Sequence, residues 1–140
     1  MPHLLFIVWK DTYNTGIPIL DEQHRGLVSI INSFFFHRAE TTKDIERILV
    51  PTADMFKSYV KVNLLTIEKL MAVSAYPKLE EHQLLHATII SHIDVMETKY
   101  RKIADAQGFL EFIKNYWLTT MENSKKEYIP HILAYYTNSR

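Results

Sequence analysis

Two histidines four residues apart, His82 and His86, stand in the stretch Tyr76-Pro77-Lys78-Leu79-Glu80-Glu81-His82-Gln83-Leu84-Leu85-His86. On a helix that spacing puts both imidazoles on one face, about one turn apart. Continued at helical spacing, the same face carries Ile89, Ile93, Met96, Tyr100 and Ile103, so the histidines lie in the apolar stripe. An imidazole so placed has two chemistries open to it. It is either a neutral, hydrogen-bonded core group or half of an i, i+4 metal-ligand pair of the kind helical bundles use. Other helices decide between them by the partners they bring. Catalysis has less to build on: there is no nucleophile beside a base, no carboxylate pair at a core position and no Gly-rich phosphate loop, so no enzyme is expected.

The elements that must position these residues read as helices. With 140 residues, 47% of them hydrophobic, the chain has the size of a single domain, 1–140, with enough apolar material for a core. Lys plus Arg and Asp plus Glu balance at 16 each, which leaves no field to draw nucleic acid or an anionic membrane. Cysteine is absent, which excludes disulfides and thiolate sites. The apolar run Leu4-Leu5-Phe6-Ile7-Val8-Trp9 is too short to span a bilayer and lacks a basic flank, so the expectation is a soluble cytoplasmic protein.

Only 3 Gly and long periodic segments argue for an all-α domain. Residues 1–19, with Gly16 and Pro18, read as an irregular arm ahead of a helical part, 20–140. A first helix from Asp21 carries His24, Leu27, Val28, Ile31, Phe34 and Phe35 inward and ends near Arg38. A start at Thr41-Thr42-Lys43-Asp44 leads into a second and longest helix with the stripe Ile45, Ile48, Leu49, Phe56, Tyr59, Asn63, Ile67, Leu70 and Met71. Pro51 inside it predicts a kink or a late restart. The third runs from near Leu79 to about Ile103, and Gly108 separates it from a fourth with Phe109, Phe112, Ile113, Tyr116, Trp117 and Met121 on one face. Pro130 marks a break before a short terminal helix, Ile132 to Tyr136. Short connections make neighbours antiparallel, hence an up-down-up-down four-helix bundle. Phe34-Phe35-Phe36 cannot all face one core, and Phe36 is expected to cover the loop after the first helix or to lie exposed.

Several stretches together resemble the hemerythrin family, in particular its bacterial members, over nearly the whole chain. Trp9, Tyr13 and Gly16-Ile17-Pro18-Ile19-Leu20-Asp21-Glu22-Gln23-His24-Arg25-Gly26-Leu27 with Ile31-Asn32 look like the family's N-terminal signature. Tyr76-Pro77 followed by His82 and His86 looks like its third-helix motif, and Leu70-Met71 and Trp117-Leu118 match further landmarks. The resemblance implies a four-helix bundle holding two irons, with histidines and bridging carboxylates as ligands and reversible O2 binding as the activity. It makes His24, His82 and His86 family ligands. It also implies Asn63 where the family has a histidine, Ile67 where it has a bridging glutamate, Met121 at a histidine and Lys126 at a bridging aspartate. If Tyr128 sets the register of the fourth helix, those last two become Thr120 and Lys125.

An aliphatic group and an ammonium in place of two carboxylates leave the charge of two irons without offset, at a cost of several kcal/mol per ion. Glu68 and Glu122 neighbour the replaced positions, but one residue turns a helical side chain by about 100°, away from the site. Asn63 has the groups to bridge two neutral imidazoles. Lys126 either turns in toward His82 or His86 or is solvated. Met121 is either core or, with His82 and His86, part of a set suited to Cu(I). The leading expectation is a metal-free binding or signalling module with no cofactor, its partner an unidentified protein or small ligand. The alternatives are a single metal or small ligand held by His24, His82 and His86, and a di-iron O2 carrier, store or sensor as in the family.

Overall fold

The computed structural model describes residues 5–40 and 44–138. After the arm and a single 3-10 turn at Asp11–Tyr13 come α1 (Pro18–Glu40), α2 (Glu46–Val73), α3 (Leu79–Ile103), α4 (Ala106–Lys126) and α5 (Ile129–Asn138). Helix α1 packs on α2 and α4, and α3 packs on α2 and α4, which closes a four-helix bundle; α5 packs against α4. No strand occurs among the described residues. Likewise, no described helix is long and apolar enough to cross a membrane.

Helix α1 starts three residues before the Asp21 expected from the sequence. Pro18 occupies its first position, where the missing N–H costs nothing and φ is preset. The Asp21 carboxylate reaches back to accept from the backbone N–H (2.7 Å) and hydroxyl (2.8 Å) of Thr15, while the Thr15 hydroxyl accepts from the N–H of Ile17 (3.0 Å). Asp21 is therefore a cap inside the first turn.

The expected start of α2 at Thr41 falls partly on residues 41–43, outside the described residues, and the helix begins at Glu46. It runs through Pro51 as one continuous helix, so the late restart does not occur. The next connection closes with Ala75 in the left-handed region (φ 54°) and the Tyr76 N–H donating to the Met71 carbonyl at 2.9 Å. Ala104 (φ 49°) ends α3 in the same way, and Asp105 caps α4 by accepting from the Gly108 N–H at 2.9 Å. Gly108 thus lies in the first turn of α4; the break expected there is at Ala104 and Asp105. A Cβ on Gly108 would collide with the Asp105 carboxylate, and one on Gly26 would overlap the Tyr59 ring where α1 meets α2. Pro130 sits in the first turn of α5, whose start at Ile129 precedes the expected Ile132. His131 Nε2 lies 2.7 Å from the Ser74 carbonyl, tying α5 to the end of α2.

The core is built from Trp117, Phe34, Phe56, Phe109, Leu27, Ile31, Ile67 and Met71 with their neighbours. Phe34 is buried, Phe35 stacks on Phe6 of the arm (5.0 Å), and Phe36 is 43% exposed beside His37. Helix α3 is held differently. Its buried residues are only His82, His86 and Ile93, and Ile103, expected in its apolar stripe, is 60% exposed.

The arm is fastened by one side chain. Asn32 Oδ1 accepts from the N–H groups of Phe6 (2.9 Å) and Ile7 (2.8 Å), and its amide donates to the Ile7 carbonyl (2.8 Å), as a neighbouring strand would. Farther along, Trp9 packs on Trp117 (5.8 Å) and under Arg25 (4.8 Å). Asn32→Ala should lower stability by about 1–3 kcal/mol, the scale for part-buried polar groups stripped of partners. It should also expose Trp9 to an aqueous fluorescence quencher. An unchanged denaturation midpoint together with unchanged quenching would contradict this account of the arm.

Candidate functional site

His82 and His86 line a pocket of about 70 Å³ between α3 and α4, with Leu64, Leu85 and Ile89 as apolar walls. From α4 and the turn after it come Tyr116, Thr120, Asn123, Ser124, Glu127 and Tyr128. Position 120 lies one helical turn beyond 116, and 123, 124 and 127 follow on the same side of the chain. His82 is enclosed by rings: Tyr128 at 5.6 Å, Tyr76 at 5.7 Å and His86 at 5.9 Å.

Each imidazole of the pair has its own carboxylate. His82 Nε2 lies 3.1 Å from Glu127 Oε2, and His86 Nδ1 lies 3.6 Å from Glu68 Oε2. The second distance is within ion-pair range but too long for a hydrogen bond, so His86 Nδ1 is buried without one. Burial lowers the pKa of His86, against the opposing pull of Glu68. Tyr116 is similar. Burial pushes its phenol up to about 12, and its hydroxyl has no well-formed hydrogen bond, only the Thr120 hydroxyl close by.

His24 does not join this pocket. It is completely buried on α1, edge-on to Trp117 at 5.3 Å, and neither ring nitrogen has a partner. Burial lowers its pKa to about 4, slightly offset by Asp21, so it is neutral at pH 7. Asn63, expected between imidazoles, donates instead to Gln23 Oε1 (2.9 Å), whose amide donates to the Thr66 hydroxyl (2.9 Å). This is a cross-link between α1 and α2. Among the described residues no group of three or more His, Cys, Asp or Glu side chains is arranged to hold a metal ion.

No family model matches the chain. It is nevertheless 26% identical over 116 residues to the bacteriohemerythrin of Stenotrophomonas maltophilia, a match covering 82% of this chain and 73% of that protein. A Pseudomonas aeruginosa bacteriohemerythrin is 26% identical over 118 residues, 84% and 73% of the two chains. For that of Clostridium acetobutylicum the figures are 26% over 126 residues, 87% and 98%. The chain is bacteriohemerythrin-like. The bacteriohemerythrin-like bundle places Ile67 at 0% exposure and Met121 at 4%. The Lys126 side chain is 71% exposed and its ammonium pairs with Glu122 at 3.1 Å, so it does not turn toward the histidines. Of the two registers open for α4, Thr120 and not Met121 lines the pocket.

Two side chains went unforeseen. Glu68 reaches His86 although the one-residue offset from Ile67 argued against it, because α2 and α3 lie side by side and Glu68 approaches the imidazole from the groove between them. Glu127 is the residue just past the end of α4, one turn beyond Asn123 and Ser124.

The His24 shift carries a sign. Its folded pKa is below the unfolded value of 6.5, so as pH falls the unfolded chain binds the proton first and stability is lost between about pH 6.5 and 4. A shift of this size makes the His24 contribution about 2 kcal/mol less favourable at pH 5 than at pH 7. Urea midpoints at the two pH values should therefore diverge more for the parent than for His24→Leu. Equal acid sensitivity in the two proteins would refute the assignment.

Proposed function

We propose that this chain is a hemerythrin-like protein whose iron site has been refilled by its own side chains, and that it acts as a metal-free binding or signalling module. The observation that carries this reading is Ile67, an aliphatic side chain with no exposed surface where the resemblance puts a bridging carboxylate. The residues present do not fit a carboxylate-bridged iron pair. His24 rests against Trp117, Asn63 is committed to Gln23, and in neither register of α4, Thr120 with Lys125 or Met121 with Lys126, is there a histidine or a carboxylate. A pair of ferrous ions brings four positive charges into this core, and without bridging carboxylates the desolvation cost is several kcal/mol per ion. A single metal on His24, His82 and His86 is less well supported, because His24 is not among the residues lining the pocket of the other two. What remains is a pocket with imidazole, phenol, hydroxyl and carboxylate groups in an apolar frame, which is the composition of a small-molecule site. No catalytic role is part of this reading.

Protein purified in air and assayed for metals should carry far less than one iron per chain and show no visible absorption band from an iron–oxygen centre. Ile67→Glu should then lower the thermal midpoint, since an unpaired carboxylate in that site costs several kcal/mol or stays protonated. Ferrous iron added without oxygen should not restore it. Stoichiometric iron in the parent, or a midpoint raised by iron in either protein, would overturn the proposal.

A further inference from the structure

We infer that the pocket between α3 and α4 binds a small organic cation, a primary ammonium on a short aliphatic chain; this rests on the metal-free reading above. Charge is the first reason. Among the described residues that line the pocket there is no Lys or Arg, while the Glu127 carboxylate, 48% exposed, is one of them. The neighbouring outer groove is lined by Lys78 together with two carboxylates, Glu81 and Glu127.

Unused hydrogen-bonding capacity is the second and independent reason. The Tyr116 hydroxyl is buried and lacks a well-formed hydrogen bond. It has lone pairs to offer, and the Glu127 oxygen not turned to His82 offers more. An ammonium brings three N–H donors and a positive charge to such a set. A carboxylate would face Glu127 with no fixed cation to hold it, and an alcohol would leave most of these acceptors unused. Size is the third reason. One water needs about 10–15 Å³ of such space, so about 70 Å³ takes roughly five heavy atoms. Leu64, Leu85 and Ile89 give the short chain an apolar seat, and the Tyr116 and Tyr128 rings can face a cation.

The test is an NMR titration of the isotope-labelled full chain at neutral pH with n-butylammonium, n-butanol and n-butyrate. Butylammonium should shift the His82, His86 and Tyr116 signals saturably, butanol more weakly and butyrate not at all. Glu127→Gln, which keeps an oxygen for His82 and removes the charge, should weaken butylammonium about tenfold or more. Tyr116→Phe keeps every charge and should weaken it by a smaller factor. Butanol or butyrate binding as tightly as butylammonium, no saturable shift with butylammonium, or Glu127→Gln binding it as the parent does would each overturn the inference. Metal content of the same sample separates the two proposals. Iron there counts against the metal-free reading, whereas a metal-free sample that ignores butylammonium counts against the cation site alone.

Discussion

Helix α3 docks on the bundle with few fully buried residues, beside the partly buried Leu79, Ile89, Ile90 and Tyr100 that pack against the core. Over its 25 residues only His82, His86 and Ile93 are buried, and the two polar members of that set occupy one end. Burying an imidazole without partners costs on the order of 1–3 kcal/mol, so docking at that end is favourable only if neighbouring elements bring acceptors and rings. They do so from both sides. Glu68 comes from α2, Glu127 from the turn after α4, and Tyr76 and Tyr128 pack their ring edges around His82. Tyr76 also packs on His131 of α5, whose Nε2 lies against the Ser74 carbonyl, so α5 is fastened at the same end of the bundle.

The third histidine shows the same chemistry resolved in another way. His24 has no acceptor, is fully enclosed and stays neutral, with the face of its surroundings supplied by Trp117. Trp117 in turn is covered by Trp9 and Tyr13 of the arm, and the arm is pinned by Asn32. An unpaired imidazole at the centre and a hydrogen-bonded arm at the surface are therefore two ends of one packed column. Acid pH strains the first, and loss of Asn32 releases the second.

Asn63 and Ile67 divide the interior between these two histidine environments. Asn63 spends its amide on Gln23, which fixes α1 against α2, and its own carbonyl oxygen is left buried without a donor. Ile67, one turn further, is packed completely. Together they make the middle of the bundle a structural core, and they leave the open polar space to the α3–α4 side, where Thr120 and Tyr116 stand. The polar groups within reach of a ligand line that side of the bundle.

Helical periodicity alone was enough to specify the all-α architecture, the bounds of α3, the inward direction of His24, His82 and His86, and the burial of Ile67 and Met121. These follow from spacing within one helix, and the bundle adds nothing needed to read them. Caps were less legible, because Asp21, Asp105 and Gly108 act through local bonds that displace an end by a few residues without altering the stripe. Two matters belonged to the tertiary structure alone: that Asn63 pairs with Gln23 across two helices, and that Glu68 and Glu127 approach separate imidazoles. Each depends on the rotation of one helix about its axis relative to its neighbour. A sequence fixes which residues share a face, whereas the partner across that face is chosen only when the helices pack.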